Sequence, residues 1–425
     1  MFDRRLSFIT AVTTVAAAML MASATAQAQP GCGPLPAATG AVTDVGPDQV
    51  ATLQSILDAA GPGDTIQLLD GEYLLPRTLV IRRPGVTLRS KSGNRDAVVL
   101  DGRYVVRDLL LLQHSDITIA DLTLTRSYWH LVHVVPDRES ISNTVLHNLR
   151  GVDASEQFIK VNPANSNHAD AGVIRCSLLQ LTDEGRAQVR NNCYTGGIDI
   201  HQAYGWHIAA NVIEGFWCTR GLSEHAIHVW TGSRDTRIER NVIVNSARGI
   251  GLGLGSAVSG RRYDDAPCGG EPNIGHYGGM VVNNFVIANE PRLFTSSAGF
   301  DVGIGLEQSC QSSVFHNTVV STDRPRSSSI EWRFANSSAA IANNLVSHNL
   351  KERDGGRAAV VGNIERAPLS YFTGVETADL HLTPAADQAI DRAVPLEPML
   401  ADDIDEDPRD GAADVGADEF RKPEP

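Results

Sequence analysis

Gly197-Ile-Asp-Ile-His201, Ala226-Ile-His-Val-Trp230 and Gly249-Ile-Gly-Leu-Gly253 carry one pattern three times: a small residue, then apolar side chains alternating with polar ones or glycine. Alternation with a period of two is a strand with one dry face. The first two segments are each followed by a second short run, Trp206-His-Ile-Ala-Ala-Asn211-Val-Ile-Glu214 and Thr236-Arg-Ile-Glu-Arg-Asn241-Val-Ile-Val244, with an Asn just before an apolar pair. A strand, a turn and an Asn-marked strand, recurring every few tens of residues, form one coil of a solenoid.

The register extends outward in both directions. The first strand returns as Leu131-Val-His-Val-Val135, Phe158-Ile-Lys-Val-Asn162, Gly303-Ile-Gly-Leu-Glu307 and Ser329-Ile-Glu-Trp-Arg333. The marked strand returns around Asn143, Cys176, Asn284, Asn317 and Asn344, with Asp121 fitting upstream. Asn side chains stacked coil on coil can hydrogen-bond turn backbone along the axis, a purely structural role. The pattern predicts a single all-β domain built as a parallel β-helix. Residues 49–350 form its body, starting with a capping helix from Val50 that ends at Gly61-Pro-Gly. Residues 29–48 read as a leader, and 351–425 as an irregular segment docking on the last coils.

Arg4 and Arg5, the apolar run from Leu6 to Met21 and the small residues Ala24-Thr-Ala-Gln-Ala28 read as a signal peptide over residues 1–28. A secreted or periplasmic protein is expected, with no membrane insertion after processing. Six cysteines in an exported chain fit disulfides; Cys193 and Cys218 are a plausible pair among 15 possible pairings. A formal charge of −14 over 425 residues disfavours nucleic acid and anionic membranes as partners. An acidic polysaccharide stays open, because a local basic pocket overrides the mean field. A monomer is expected.

Chemistry should lie on the polar face of the repeated strand. One outward column reads His133, Lys160, Asp199, His228, Gly251, Gly305, Glu331, and its neighbour Val135, Asn162, His201, Trp230, Gly253, Glu307, Arg333. With coils about 4.8 Å apart and outward residues about 7 Å apart on a strand, Lys160, Asn162, Asp199, His201, His228 and Trp230 share a patch the size of one sugar ring. Removing the acidic proton beside a uronate carboxylate requires a neutralising cation, a base and an acid. Lys160, held protonated beside Asp199, suits the cation. His201 suits the base and His228, oriented by Asp199, the acid. Asn162, Trp230, Glu224, His225, Arg248, Glu307 and Arg333 are the expected substrate contacts, Trp230 as a stacking platform and Arg248 as a cation. His225 has inward parity, and the glycines at 251, 253 and 255 would leave a low groove floor. Ca²⁺ is the one cofactor left open, with Asp199 and Glu224 the pair to hold it; no metal ligand is otherwise assigned.

The entry Asp64-Thr-Ile-Gln-Leu-Leu-Asp-Gly-Glu-Tyr73 behind a capping helix resembles that of exported β-helix proteins of the pectate-lyase-like superfamily, which implies right-handed coiling. The ending Pro408-Arg-Asp-Gly411 with Asp414-Val-Gly-Ala-Asp-Glu419 resembles theirs too, implying a docked tail rather than a Ca²⁺ loop. Gly196-Gly-Ile-Asp-Ile-His201 with His225-Ala-Ile-His-Val229 resembles segments of mannuronan C5-epimerases, so that Asp199 and His201 fall on catalytic positions and His225 on a later His. Gly196 stands where that family has its catalytic Tyr, Ile200 where it has Pro, and Tyr194 lies two residues early. Lys160 is similar in place to the Lys of β-helix alginate and dermatan lyases. The resemblance implies a lyase or epimerase acting on a uronic-acid polymer. A glycoside hydrolase using Asp199 with Glu224 or Glu307, or a non-catalytic glycan-binding or envelope protein, are the alternatives.

Overall fold

A computed structural model describes residues 32–255, 260–397, 400–409 and 411–421. The expected signal peptide, 1–28, lies outside them. Three long parallel sheets, of 12, 10 and 10 strands, run the length of the molecule, and each strand pairs with its equivalent one coil on. Three short α-helices are present among the described residues. The chain is a single-domain parallel β-helix, as its alternation predicts. Inward side chains such as Ile159, Ile198, Ile227, Ile250, Ile304 and Ile330 are buried and stack into one continuous core.

The structure sets the limits of the stack wider than the sequence reading. Val42–Val45, inside the expected leader, pairs in parallel with Thr65–Leu68. At the other end Leu350–Arg353 and Arg357–Val361 each add a strand. All three escape a periodicity reading because each is the terminal strand of its sheet, with a copy on one side alone. Helix α1, Leu53–Ala59, buries Leu53 and Leu57 over the first coil. Its Gln54 covers the edge strand Leu79–Ile81, donating to the Val80 carbonyl and accepting from the Val80 N–H, both at 2.8 Å.

At the corner between the 12-stranded sheet and the 10-stranded sheet that begins at Gly71–Leu74 runs an asparagine ladder. Asn211, Asn241, Asn284, Asn317 and Asn344 are fully buried. Each side-chain amide donates to the Oδ1 of the next, ending on Asn363, over 2.8–3.0 Å. The residue before each rung is left-handed: Ala210, Arg240, Asn283, His316 and Asn343. Asp121 and Cys176 occupy that preceding position rather than the rung. Asn143 belongs to a different turn, where its amide donates to Asp116 Oδ1 at 2.9 Å; a one-residue offset in a corner is invisible to strand alternation. Asn284→Ala should lower the guanidinium midpoint, at about 1–3 kcal/mol for each backbone group left unpaired, such as the Asn241 N–H and the Ile238 carbonyl. A midpoint equal to the wild type would remove the ladder from the stabilising interactions.

The C-terminal segment docks against the side of the last coils. Tyr371, Phe372, Leu380, Val415 and Ala417 pack on Phe285, Ile287, Val320 and Leu345, the outer side chains of one sheet. The tail carboxylates fold the segment on itself, Asp403 accepting from the Glu419 N–H and Asp414 from those of Asp391 and Phe420, while Asp402 pairs with Arg240 and the Ala417 N–H donates to Thr318 Oγ1 on the coils. All six cysteines are paired, as Cys32–Cys176, Cys193–Cys218 and Cys268–Cys310. No helix among the described residues is long and apolar enough to cross a membrane.

Candidate active site

The outward column forms as its register requires. Lys160 pairs with Asp199, Asp199 with His228, His228 with Gly251, Gly251 with Gly305 and Gly305 with Glu331. In the neighbouring column His201 pairs with Trp230, Gly253 with Glu307 and Glu307 with Arg333. The structure therefore brings Lys160, Asp199, His201, His228 and Trp230 onto one wall.

That wall is not solvated at this point. Lys160 is 5% exposed, Asp199 1% and His228 0%. Asp199 is the hub: Oδ2 takes the Lys160 ammonium, and Oδ1 lies 3.1 Å from His201 Nε2 and 2.9 Å from Trp230 Nε1, which donates to it. Burial alone would raise the Asp199 carboxyl, but Lys160, His201 and His228 outweigh it and hold it well below the usual carboxylate range. Burial likewise works against the Lys160 cation, and Asp199 and Tyr194 overcome it, so its pKa is raised. Burial pushes His201 below its ordinary value, against the pull of Asp199 and helped by the Lys160 cation. His201 is neutral at neutral pH.

Trp230 covers this centre. Its ring stacks on His228 at 5.1 Å and 4°, and meets the edge of His201 at 4.6 Å. Half-buried and hydrogen-bonded to Asp199, it packs on the ion cluster rather than standing as the free platform expected.

Three sequence-based assignments change. His228, expected as the acid, has no path to a substrate: Nε2 donates to the Gly253 carbonyl at 3.0 Å, and Nδ1 lies 3.2 Å from Glu224 Oε2. His225 does not point inward. The strand begins only at Ile227, so parity does not yet apply, and its ring lies over the outer face, where a Cβ on Gly251 would sit 2.6 Å from it. The low groove floor expected at Gly251 is filled by that ring. Lys160 as a free neutraliser of substrate charge is also revised, because Asp199, His201 and Tyr194 surround its ammonium.

Tyr194 is the residue that the sequence placed out of register. Its hydroxyl lies 3.3 Å from Lys160 Nζ, half-buried at the rim. The loop carrying it is fixed at the preceding residue by Cys193–Cys218, and no alternation signals a contact that a loop delivers. Gly196 has no room for a side chain, since a Cβ would be 2.7 Å from the His225 carbonyl oxygen. The adjacent cleft is lined by Arg186, Arg190, Arg220 and Arg292 together with Cys193 and Trp217.

The other expected contacts are spread out. Arg248 pairs with Asp301 at 3.0 Å; Arg333 reaches Glu307 at 3.4 Å and Asp354 at 2.8 Å. Glu307 and Arg333 lie on later coils than Asp199, His201 and His228. Asn162 keeps a buried Oδ1 with no hydrogen-bond partner beside the site. The Asp199–Glu224 pair does not fit Ca²⁺, which takes six to eight oxygens, because nitrogen donors already surround Asp199.

No protein-family model and no curated protein matches the chain. Among solved structures, it is similar to pectate lyase Pel9A, with TM-score 0.62 at 12% identity over 90% of this chain and 97% of that one. It is also similar to an alginate lyase from Paenibacillus sp. str. FPU-7, with TM-score 0.55 at 15% identity over 75% of this chain and 99% of that one. At these identities the likeness is one of fold.

Proposed function

We propose that this chain is an exported lyase that abstracts the proton beside the carboxylate of a uronic-acid unit in an acidic polysaccharide and eliminates the glycosidic oxygen. The observation that carries this reading is the convergence of His201, Tyr194, Lys160 and Asp199 from two adjacent coils and one disulfide-anchored loop. His201 Nε2 lies 3.1 Å from both Asp199 Oδ1 and Lys160 Nζ; we assign the tautomer with its proton on Nε2, directed at Asp199 Oδ1, with the Lys160 ammonium donating to Asp199 Oδ2 and Tyr194. Nδ1 is then the base that takes the substrate proton, as a neutral imidazole can near neutral pH. Tyr194 gives its hydroxyl proton to the leaving oxygen. The Lys160 ammonium beside the phenol oxygen stabilises the negative charge left there, in a site that already excludes much of the water. The cleft next to Cys193 gathers Arg186, Arg190, Arg220 and Arg292, with Asp183 as counter-charge to Arg186 and Arg292, and this excess of cations on a chain of net charge −14 supports an anionic polymer. Export is supported by the signal-like N-terminus and by the pairing of every cysteine.

Incubation with alginate, pectate and glycosaminoglycans, read by ultraviolet absorbance and mass spectrometry, tests this. Elimination leaves a conjugated unsaturated uronate. An altered uronate ratio without cleavage would mean an epimerase using the same proton abstraction. Saturated reducing ends would mean a hydrolase, for which the enclosed Asp199 is poorly placed. No change on any glycan, with disulfides intact and Ca²⁺ added, would leave a binding protein. Because His201 is held below its ordinary value of 6.5, the acid limb of kcat/KM should fall below that pH. A limb well above it would take His201 out of the base role.

A further inference from the structure

We propose that Glu224, His225 and His228 form a binding site for a divalent transition-metal ion of the Zn²⁺ class. This does not depend on the polysaccharide reading. His225 Nδ1 is buried without a hydrogen-bond partner, and beside it the buried Glu224 Oε2 and His228 Nδ1 have only each other, at 3.2 Å. The three residues can present ligand atoms within 4.8 Å of one another. Both histidines are almost wholly buried, at 2% and 0% exposure.

The surroundings prepare the donors. His228 donates Nε2–H to the Gly253 carbonyl at 3.0 Å, which fixes the ring as a histidine ligand is usually held, and the ion would displace the proton that Nδ1 shares with Glu224. His228 Nδ1 and Glu224 Oε2 stand 3.2 Å apart. Two ligand atoms each about 2.0–2.1 Å from a tetrahedral ion would be separated by about 3.3 Å. The His225 ring reaches this place because Gly251 carries no side chain; a Cβ there would come within 2.6–2.7 Å of three of its ring atoms. Two imidazoles and one carboxylate suit Zn²⁺ and its neighbours and do not suit Ca²⁺ or Mg²⁺, which prefer oxygen. Glu224, the least buried of the three, opens the site to solvent, leaving a fourth position for water or a ligand oxygen.

The test uses the full chain with its disulfides intact, stripped with a chelator and dialysed against Zn²⁺, with metal content measured by mass spectrometry and affinity by competition with a chromophoric chelator. The expected result is about one Zn²⁺ retained at this site and a guanidinium midpoint that rises with Zn²⁺ but not with Ca²⁺. His225→Ala should abolish retention, and the isosteric Glu224→Gln should weaken it by at least the 10–100-fold typical of outer-sphere changes. His133→Ala, in the separate Asp108–His130–His133 cluster, should keep the ion that His225→Ala loses. Absence of Zn²⁺ uptake, wild-type retention in both His225→Ala and Glu224→Gln, or loss in His133→Ala alone would overturn the proposal. Should both variants fail to fold, the Co²⁺ spectrum of the wild type decides: bands of a nitrogen-ligated tetrahedral ion support the site, and their absence rejects it.

Discussion

Asp199→Asn is expected to lower folding stability by about 3–5 kcal/mol, the usual cost of removing one partner from a buried ion cluster. The carboxylate is 1% exposed and faces the Lys160 ammonium, the His201 and Trp230 ring nitrogens, and His228 Nδ1 at 3.9 Å. An amide would leave the Lys160 charge buried beside a neutral group. The measurement is the guanidinium midpoint at fixed slope. The pH dependence follows from the same carboxyl. Its folded pKa lies below its unfolded one, so its contribution is fully present above about pH 4 and is lost as pH falls through the lower, folded value. Asp199→Asn should therefore flatten the acid side of the stability curve as well as lowering its plateau. A variant with an unchanged midpoint and an unchanged acid limb would show that the cluster does not depend on this carboxylate.

His201→Ala should reduce kcat on the polymer that responds by about 10²–10⁴-fold, the range a general base contributes, while leaving the midpoint far closer to wild type than Asp199→Asn does. His201 lies at the edge of the cluster, 3.1 Å from both Lys160 Nζ and Asp199 Oδ1, and is neutral, so its loss strands no charge. Tyr194→Phe separates the two proton transfers. It keeps the ring over which Lys160 sits at 5.7 Å and removes only the hydroxyl. Product formation should fall with His201→Ala and with Tyr194→Phe, whereas exchange of the substrate proton with solvent should survive only in Tyr194→Phe. Full activity in His201→Ala would move the base elsewhere on the wall.

The coiling and the wall were legible because both rest on period-two alternation. Ile198, Ile200, Ile227 and Val229 are fully buried, and the residues between them stand in the predicted columns. What alternation does not encode is how deeply an outer face is covered. Lys160, Asp199 and His228 looked like surface residues, yet Trp230, Tyr194 and the segment before Ile227 close over them. The misjudged residues, His225 and Tyr194, both lie just outside a strand, where side-chain direction is set by loop path. Cys193–Cys218, readable as a pair from its position in two consecutive loops, supplies the constraint that brings Tyr194 back.

The asparagine ladder has one more consequence. Its rungs are primary amides, which neither gain nor lose a proton as a solution is acidified, whereas the wall on the third sheet is made of groups that do. Mild acid should therefore reach the reacting side chains while the corner joining the other two sheets is chemically unaffected. The pH dependence of folding thus falls on other groups, such as Asp199 on the wall and the buried Asp418 of the docked segment, and protonation of His201 can silence the site without touching this corner.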